Sequence, residues 1–272
     1  MKADAELEPF ARLVEALDPW LGQVVIIGGW AHRLYRLHPR SQKLTYPPLT
    51  TLDSDIAVPA KIVVKGEEIR ERLLARGFQE EFIGEDRPPA THYHFGGHGG
   101  FYAEFLTPLV GGEHGREGER KATRKVGGVS SQQLRYVDIL LVAPWSVRLH
   151  REVGYPFAPP KDVQVANPAT FLAQKILIQS SRDRRDRAKD VLYIHDTIET
   201  FAGNLPELRE VFENEIRPKL HAKRVAEVRS AARELFGGVN DTIREAVLMA
   251  AGRKLTAEAL METCRAGLGA IF

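Results

Sequence analysis

Three short groups of residues could do chemistry together. The first is Asp53-Ser54-Asp55, inside the stretch LDSDIAV at residues 52–58. Its apolar–polar alternation reads as a strand, and residues i and i+2 of a strand share a face. Both carboxylates are then presented side by side. Like charges so placed repel, and one pKa rises unless a cation intervenes. A divalent metal is the natural counter-ion. Magnesium (or manganese) suits such a site, because it takes hard oxygen ligands and pairs one or two carboxylates with substrate phosphates. The second group is Glu104 in FYAEFL, whose neighbours Ala103 and Phe105 fall on the opposite strand face. On a nearby strand Glu104 would complete an acidic site. The third is Gly28-Gly29, between the apolar run Val24–Ile27 and the helix-like WAHRLY. A glycine there serves a turn that needs φ > 0. It also lets a phosphate approach the backbone at a helix N-terminus.

Each piece has a plain reading: a simple turn, a solvated strand face, an isolated glutamate. Their joint occurrence in one segment favours a site. That site suits two-metal phosphoryl transfer, in which one ion activates an attacking hydroxyl and the other holds the triphosphate and the leaving pyrophosphate. Glu104 could accept the nucleophile's proton.

The elements that must position these residues follow from periodicity. Leu7, Phe10, Leu13, Val14 and Leu17 recur at helical spacing over residues 4–18. Residues 24–27 and 52–58 read as strands, 30–37 and 66–76 as helices, and the proline-bearing 39–50 as a loop. Further strands are expected at 78–83, 91–95, 101–106, 136–142 and 146–150, with GGHGG as a hairpin turn. The Gly-rich, charged residues 111–128 read as a surface loop. After Pro168 the pattern is helical at 168–200, 206–236, 239–251 and 256–266. The expectation is an α+β fold: a mixed-sheet domain over residues 1–160, then an all-α domain over 161–272.

Composition bounds the partners. The 272 residues are 43% hydrophobic and 27% charged with a net charge of +2, which names no partner. A single cysteine, Cys264, excludes an internal disulfide and a multi-cysteine zinc site. The N-terminus MKADAELEPF is unlike a secretory signal, and no apolar run reaches the ~20 residues of a membrane span. A cytoplasmic protein with no membrane association is expected.

The order GG, TLDSDIAV, AEFLTPL resembles the polymerase-β-type nucleotidyltransferase superfamily. More narrowly it resembles the bacterial nucleotidyltransferase-fold group related to AbiEii-like toxins, through RYVDILL (135–141), NPATFLAQKILI (167–178) and AKD (188–190), over about residues 22–200. The resemblance implies that Gly28 and Gly29 cradle nucleotide phosphates and that Asp53, Asp55 and Glu104 bind magnesium. It implies that Lys175 contacts the triphosphate and that Asp190 orients Lys175 or the nucleotide. It further implies transfer of a nucleoside monophosphate from an NTP to a hydroxyl, in a toxin–antitoxin or phage-defence setting. There tRNA 3′ ends are a candidate acceptor, and a cognate antitoxin a candidate partner. GGW also occurs in small-molecule (antibiotic) nucleotidyltransferases, so that class remains open, as does a non-catalytic nucleotide-binding protein.

Other features are less directed. His92, His94 and His98 lie in THYHFGGHGG. The first two share a strand face, but no cysteine or acidic partner stands at a recognised spacing, so a hairpin with polar face residues is favoured over a metal site. Arg116, Arg120, Lys121, Arg124 and Lys125 form one basic run, and Arg182, Arg184, Arg185, Arg187 and Lys189 another. Interspersed acids favour a salt-bridged surface, the alternative being a phosphate-binding surface for RNA.

Overall fold

The computed structural model describes residues 6–64, 66–97, 100–114 and 121–272. Its contacts divide the chain into two compact units, Met1–Leu37 with Thr50–Ala166, and His38–Leu49 with Asn167–Phe272. The fold is α+β: a mixed sheet with helices, and a helical C-terminal region. No helix among the described residues is long and apolar enough to cross a membrane.

In the first unit the helices are α1 (Leu7–Ala16), α2 (Gly28–Tyr35), α3 (Ile69–Ala75) and α4 (Val137–Leu140). The strands are β1 (Val25–Ile26), β2 (Asp53–Ala57), β3 (Gln79–Ile83), β4 (Ala90–Phe95), β5 (Phe101–Pro108), β6 (Thr123–Val126), β7 (Val129–Leu134), β8 (Trp145–Leu149) and β9 (Lys161–Val165). They form one sheet in the order β3-β4-β5-β2-β1-β9-β8, with β7 paired to β5 and β6. β2 runs parallel to β5, and β4 antiparallel to it.

Burial separates the two faces of the central strands. Ser54 and Ile56 of β2, and Phe101, Ala103 and Phe105 of β5, are buried, whereas the residues between them are half-buried. The buried face meets an aromatic core. Phe10 of α1 stacks on Trp30 of α2 at 3.8 Å, and Trp30 meets Phe101 edge-on at 5.9 Å. Trp30 is fully buried, so the bulky residue after the glycine pair belongs to the core.

Three expectations fail here, each for a physical reason. Residues 136–142 are not a strand: Tyr136 sits at φ 67° and leads into the short helix α4, which buries Val137, Ile139 and Leu140. A short apolar run does not distinguish strand from helix turn by periodicity. The run 111–128 is not all loop. Within it β6 forms a hairpin with β7 through Gly127 and Gly128, both at positive φ, a backbone that glycine adopts without steric cost. β9 falls inside the stretch expected to be all helical, because residues 161–165 pair with β1 and β8 and so extend the sheet.

The second unit contains α5 (Pro168–Leu177), α6 (Arg184–Thr200), α7 (Leu205–Val211), α8 (Ala222–Leu235), α9 (Asp241–Met249) and α10 (Ala257–Ile271). The expected 168–200 helix is broken, and Asp183 caps the restart by accepting from Asp186 N–H. The expected 206–236 helix is interrupted at Arg217-Pro218. α10 packs tightly on α6, where a Cβ at Gly267 would lie 2.4 Å from Ile198 Cγ2. Residues 39–49 of the expected loop belong to this unit. Gln42 N–H donates to Thr200 O at 2.8 Å, and the Tyr46 hydroxyl reaches the fully buried Asp196 at 3.1 Å. Arg253 Nη1 neutralises Asp196 at 2.7 and 2.9 Å.

Candidate functional site

The sheet register assembles the site in the first unit. Asp53 pairs with Tyr102 and Asp55 with Glu104 across β2 and β5. Paired residues project to the same face, so the three carboxylates share the half-buried side of the sheet with Tyr102. The Tyr102 hydroxyl registers this crowding. Burial pushes its pKa up, and the charges of Asp53, Glu104 and Asp55 push it further.

The Gly28 turn is built against the same carboxylates. Ile27 N–H donates to Asp55 O at 3.0 Å, locking the end of β1 to β2. Gly28 then adopts φ +59°, and a Cβ there would lie 1.9 Å from Asp55 Oδ2. This answers why glycine stands at position 28: the Asp55 carboxylate occupies the space a side chain would need. Gly29 lies buried in the first turn of α2, and Ile27 supplies no side-chain cap to that helix. A helix N-terminus attracts anionic oxygen through its backbone N–H groups and its dipole. Gly28→Ala is expected to cost about 1–2 kcal/mol from the left-handed backbone alone. It should also displace Asp55, lowering catalytic turnover by roughly a hundredfold. Thermal unfolding and a transfer assay on the same preparation check both effects.

The carboxylates are held by their neighbours. Thr51 Oγ1 donates to Asp53 Oδ1. Gln132 Nε2 donates to Glu104 Oε2 at 3.2 Å, and His92 Nε2 lies 3.4 Å from the same oxygen. Three hard oxygen donors beside a helix N-terminus match what a magnesium ion bridging to phosphate requires, so these residues fit that group. Their spacing is set by strand pairing, and they are not drawn as close as two other clusters. Glu81, His92 and His94 bring their ligand atoms within 4.8 Å of one another, as do His195, Asp196 and Glu199. In the second of these, the Arg253 guanidinium already serves as cation.

A cavity of about 380 Å³ has Gln132, the donor to Glu104, in its wall. Asp86, Glu113, Lys121 and Arg135 add polar groups to that wall.

In the second unit, Lys175 and Asp190 form a buried ion pair between α5 and α6, with Nζ 2.5 Å from Oδ1. Arg182 Nε lies 3.4 Å from the other oxygen of Asp190. The ammonium also lies 5.6 Å from the Phe171 ring and 5.2 Å from that of Tyr193. In the basic run around it, Arg182 also pairs with Asp186 and Arg184 with Glu245, while Arg185 and Arg187 are exposed. Lys121, Arg124 and Lys125 lie at or next to β6, whereas Arg116, Arg120 and His98 lie outside the described residues.

Tyr102 was not singled out from the sequence, although its i−2 position puts it on the same strand face as Glu104. Gln132 reaches Glu104 only through the β5–β7 pairing, which local sequence does not show.

The sequence matches a family model described as nucleotidyltransferase over residues 6–216. Comparison with curated proteins finds no match.

Proposed function

We infer that this chain, which belongs to the nucleotidyltransferase family, moves a nucleoside monophosphate from an NTP to a hydroxyl acceptor and releases pyrophosphate. The observation that carries this reading is the register of Asp53, Asp55 and Glu104 on one sheet face, against the Gly28 turn at the start of α2. Asp53, Asp55 and Glu104 would hold magnesium or manganese, which when bound neutralises phosphate charge and acidifies the attacking hydroxyl. The acceptor oxygen forms a bond to the α-phosphorus, and the bond from that phosphorus to the bridging pyrophosphate oxygen breaks. Glu104 takes the hydroxyl proton, with Gln132 and His92 keeping its carboxylate oriented. The backbone N–H groups at Gly28-Gly29 donate to phosphate oxygens. The buried Lys175–Asp190 contact supports Asp190 as the group that orients Lys175.

The acceptor is the finer question. The resemblance to the AbiEii-like group favours a tRNA 3′ hydroxyl, with a cognate antitoxin as partner. Exposed Arg185 and Arg187 are surface cations of the kind that contact nucleic-acid phosphates. A small-molecule acceptor is the second reading, favoured by the cavity whose wall includes Gln132, the donor to Glu104. Incubation with each α-labelled NTP, Mg²⁺ and total RNA separates the two. Label in RNA is the expected result. RNA left unlabelled, while a hydroxylated small molecule takes label, would overturn the RNA reading and leave the transfer chemistry standing.

A further inference from the structure

A pair of histidines on a strand lacked an acidic partner in the sequence, and the fold supplies one. β3 pairs antiparallel with β4 so that Glu81 stands opposite His92. His94 lies two residues further along β4, hence on the same face. His94 Nε2 and Glu81 Oε2 approach to 2.6 Å, and ligand atoms of all three residues lie within 4.8 Å of one another. The side chains are sheltered without being sealed off: His92 is 20% exposed, His94 12% and Glu81 39%.

We propose that Glu81, His92 and His94 form a metal site for a transition-metal dication such as zinc, separate from the carboxylate site of Asp53, Asp55 and Glu104. The donor chemistry distinguishes the two. Imidazole nitrogen suits zinc, copper, iron and nickel, whereas carboxylate oxygen alone suits magnesium, calcium and manganese. Two histidines and one carboxylate are a complete protein set for a zinc ion that keeps a position open to water or another ligand. Around one such ion, donors stand about 3.4 Å apart, as bonds of ~2.1 Å at tetrahedral angles require. Small rotations of side chains already within 4.8 Å reach that spacing.

His92 also contacts Tyr102 and Glu104. Its ring stacks on Tyr102 at 4.6 Å with 20° between planes, and its Nε2 lies 3.4 Å from Glu104 Oε2. In the sheet the row runs Asp55, Glu104, His92, Glu81 across β2, β5, β4 and β3. A metal on His92 would therefore fix the imidazole that flanks Glu104. The plain alternative is a cross-strand histidine–glutamate pair that ties the hairpin and binds nothing.

The test uses the full chain, freed of metal by chelator and dialysis. Zinc is titrated calorimetrically, and cobalt is followed by its visible absorption. The expected result is one zinc per chain. Its affinity should fall by more than the roughly tenfold to hundredfold that loss of an outer-shell partner costs in His92→Ala, His94→Ala and Glu81→Gln. Each should also lose the cobalt band. Glu81→Gln keeps size and shape at a partly exposed position, so it reads ligation even if a histidine variant fails to fold. Asp53→Asn/Asp55→Asn should bind zinc as the wild type does while losing nucleotidyl transfer. The proposal is overturned if the wild type binds no zinc, or if folded Glu81→Gln and His94→Ala bind it unchanged. It is equally overturned if zinc binding is lost with Asp53 and Asp55 and kept without the histidines. A failed transfer assay alongside intact zinc binding counts only against the transferase reading.

Discussion

Asp55→Asn lowers nucleotidyl transfer by about three orders of magnitude while the protein stays folded. The size follows from the role. Charge stabilisation by a bound cation is worth several kcal/mol, and each 1.36 kcal/mol is tenfold in rate, so losing about 4 kcal/mol costs about a thousandfold. Asp55 faces Glu104 across the strand pair and lies against the Gly28 turn, so it sits where phosphate and cation would meet. Asparagine has the same shape, and in the free protein it removes one of three like charges near Tyr102. Relief of that repulsion leaves thermal stability equal to the wild type or above it. Single-turnover transfer from an α-labelled NTP and a melting curve on the same sample give both quantities. Activity within threefold of wild type would make the pair a polar strand face and nothing more.

Lys175→Met destabilises the chain by about 3–5 kcal/mol, the usual cost of removing one partner from a buried ion pair. The Asp190 side chain is 4% exposed and that of Lys175 7%, so the remaining carboxylate has little water to turn to. Arg182 lies 3.4 Å from Asp190 but is itself 39% exposed, which places the expected loss toward the lower end. The surroundings are apolar enough to accept a neutral pair, since Phe171 and Tyr193 flank the ammonium. Lys175→Met/Asp190→Leu should therefore recover most of the loss. Urea unfolding of wild type, single and double variants closes the comparison. A double variant as unstable as the single one would mean that the uncompensated carboxylate is not the source of the cost.

Local periodicity determined much of this protein in advance. Period-two alternation placed Asp53 and Asp55 on one face of a strand, and Glu104 opposite Ala103 and Phe105, because successive strand side chains must point to opposite sides. The helical character after Pro168 was legible for the same kind of reason, although capping at Asp183 and the break at Pro218 divided the runs. Tertiary structure decided which strands became neighbours. The parallel pairing of β2 with β5, in the register that sets Asp55 beside Glu104, depends on contacts between distant segments, and a slip of one residue would turn Glu104 to the other face. The same holds for Glu81, which reaches His92 and His94 only through the β3–β4 ladder. It holds for residues 39–49, whose loop-like composition is silent about the helical unit that binds them. Gly28 combines both levels. Its type announced a turn, and the Asp55 carboxylate in its side-chain space explains why no other residue fits.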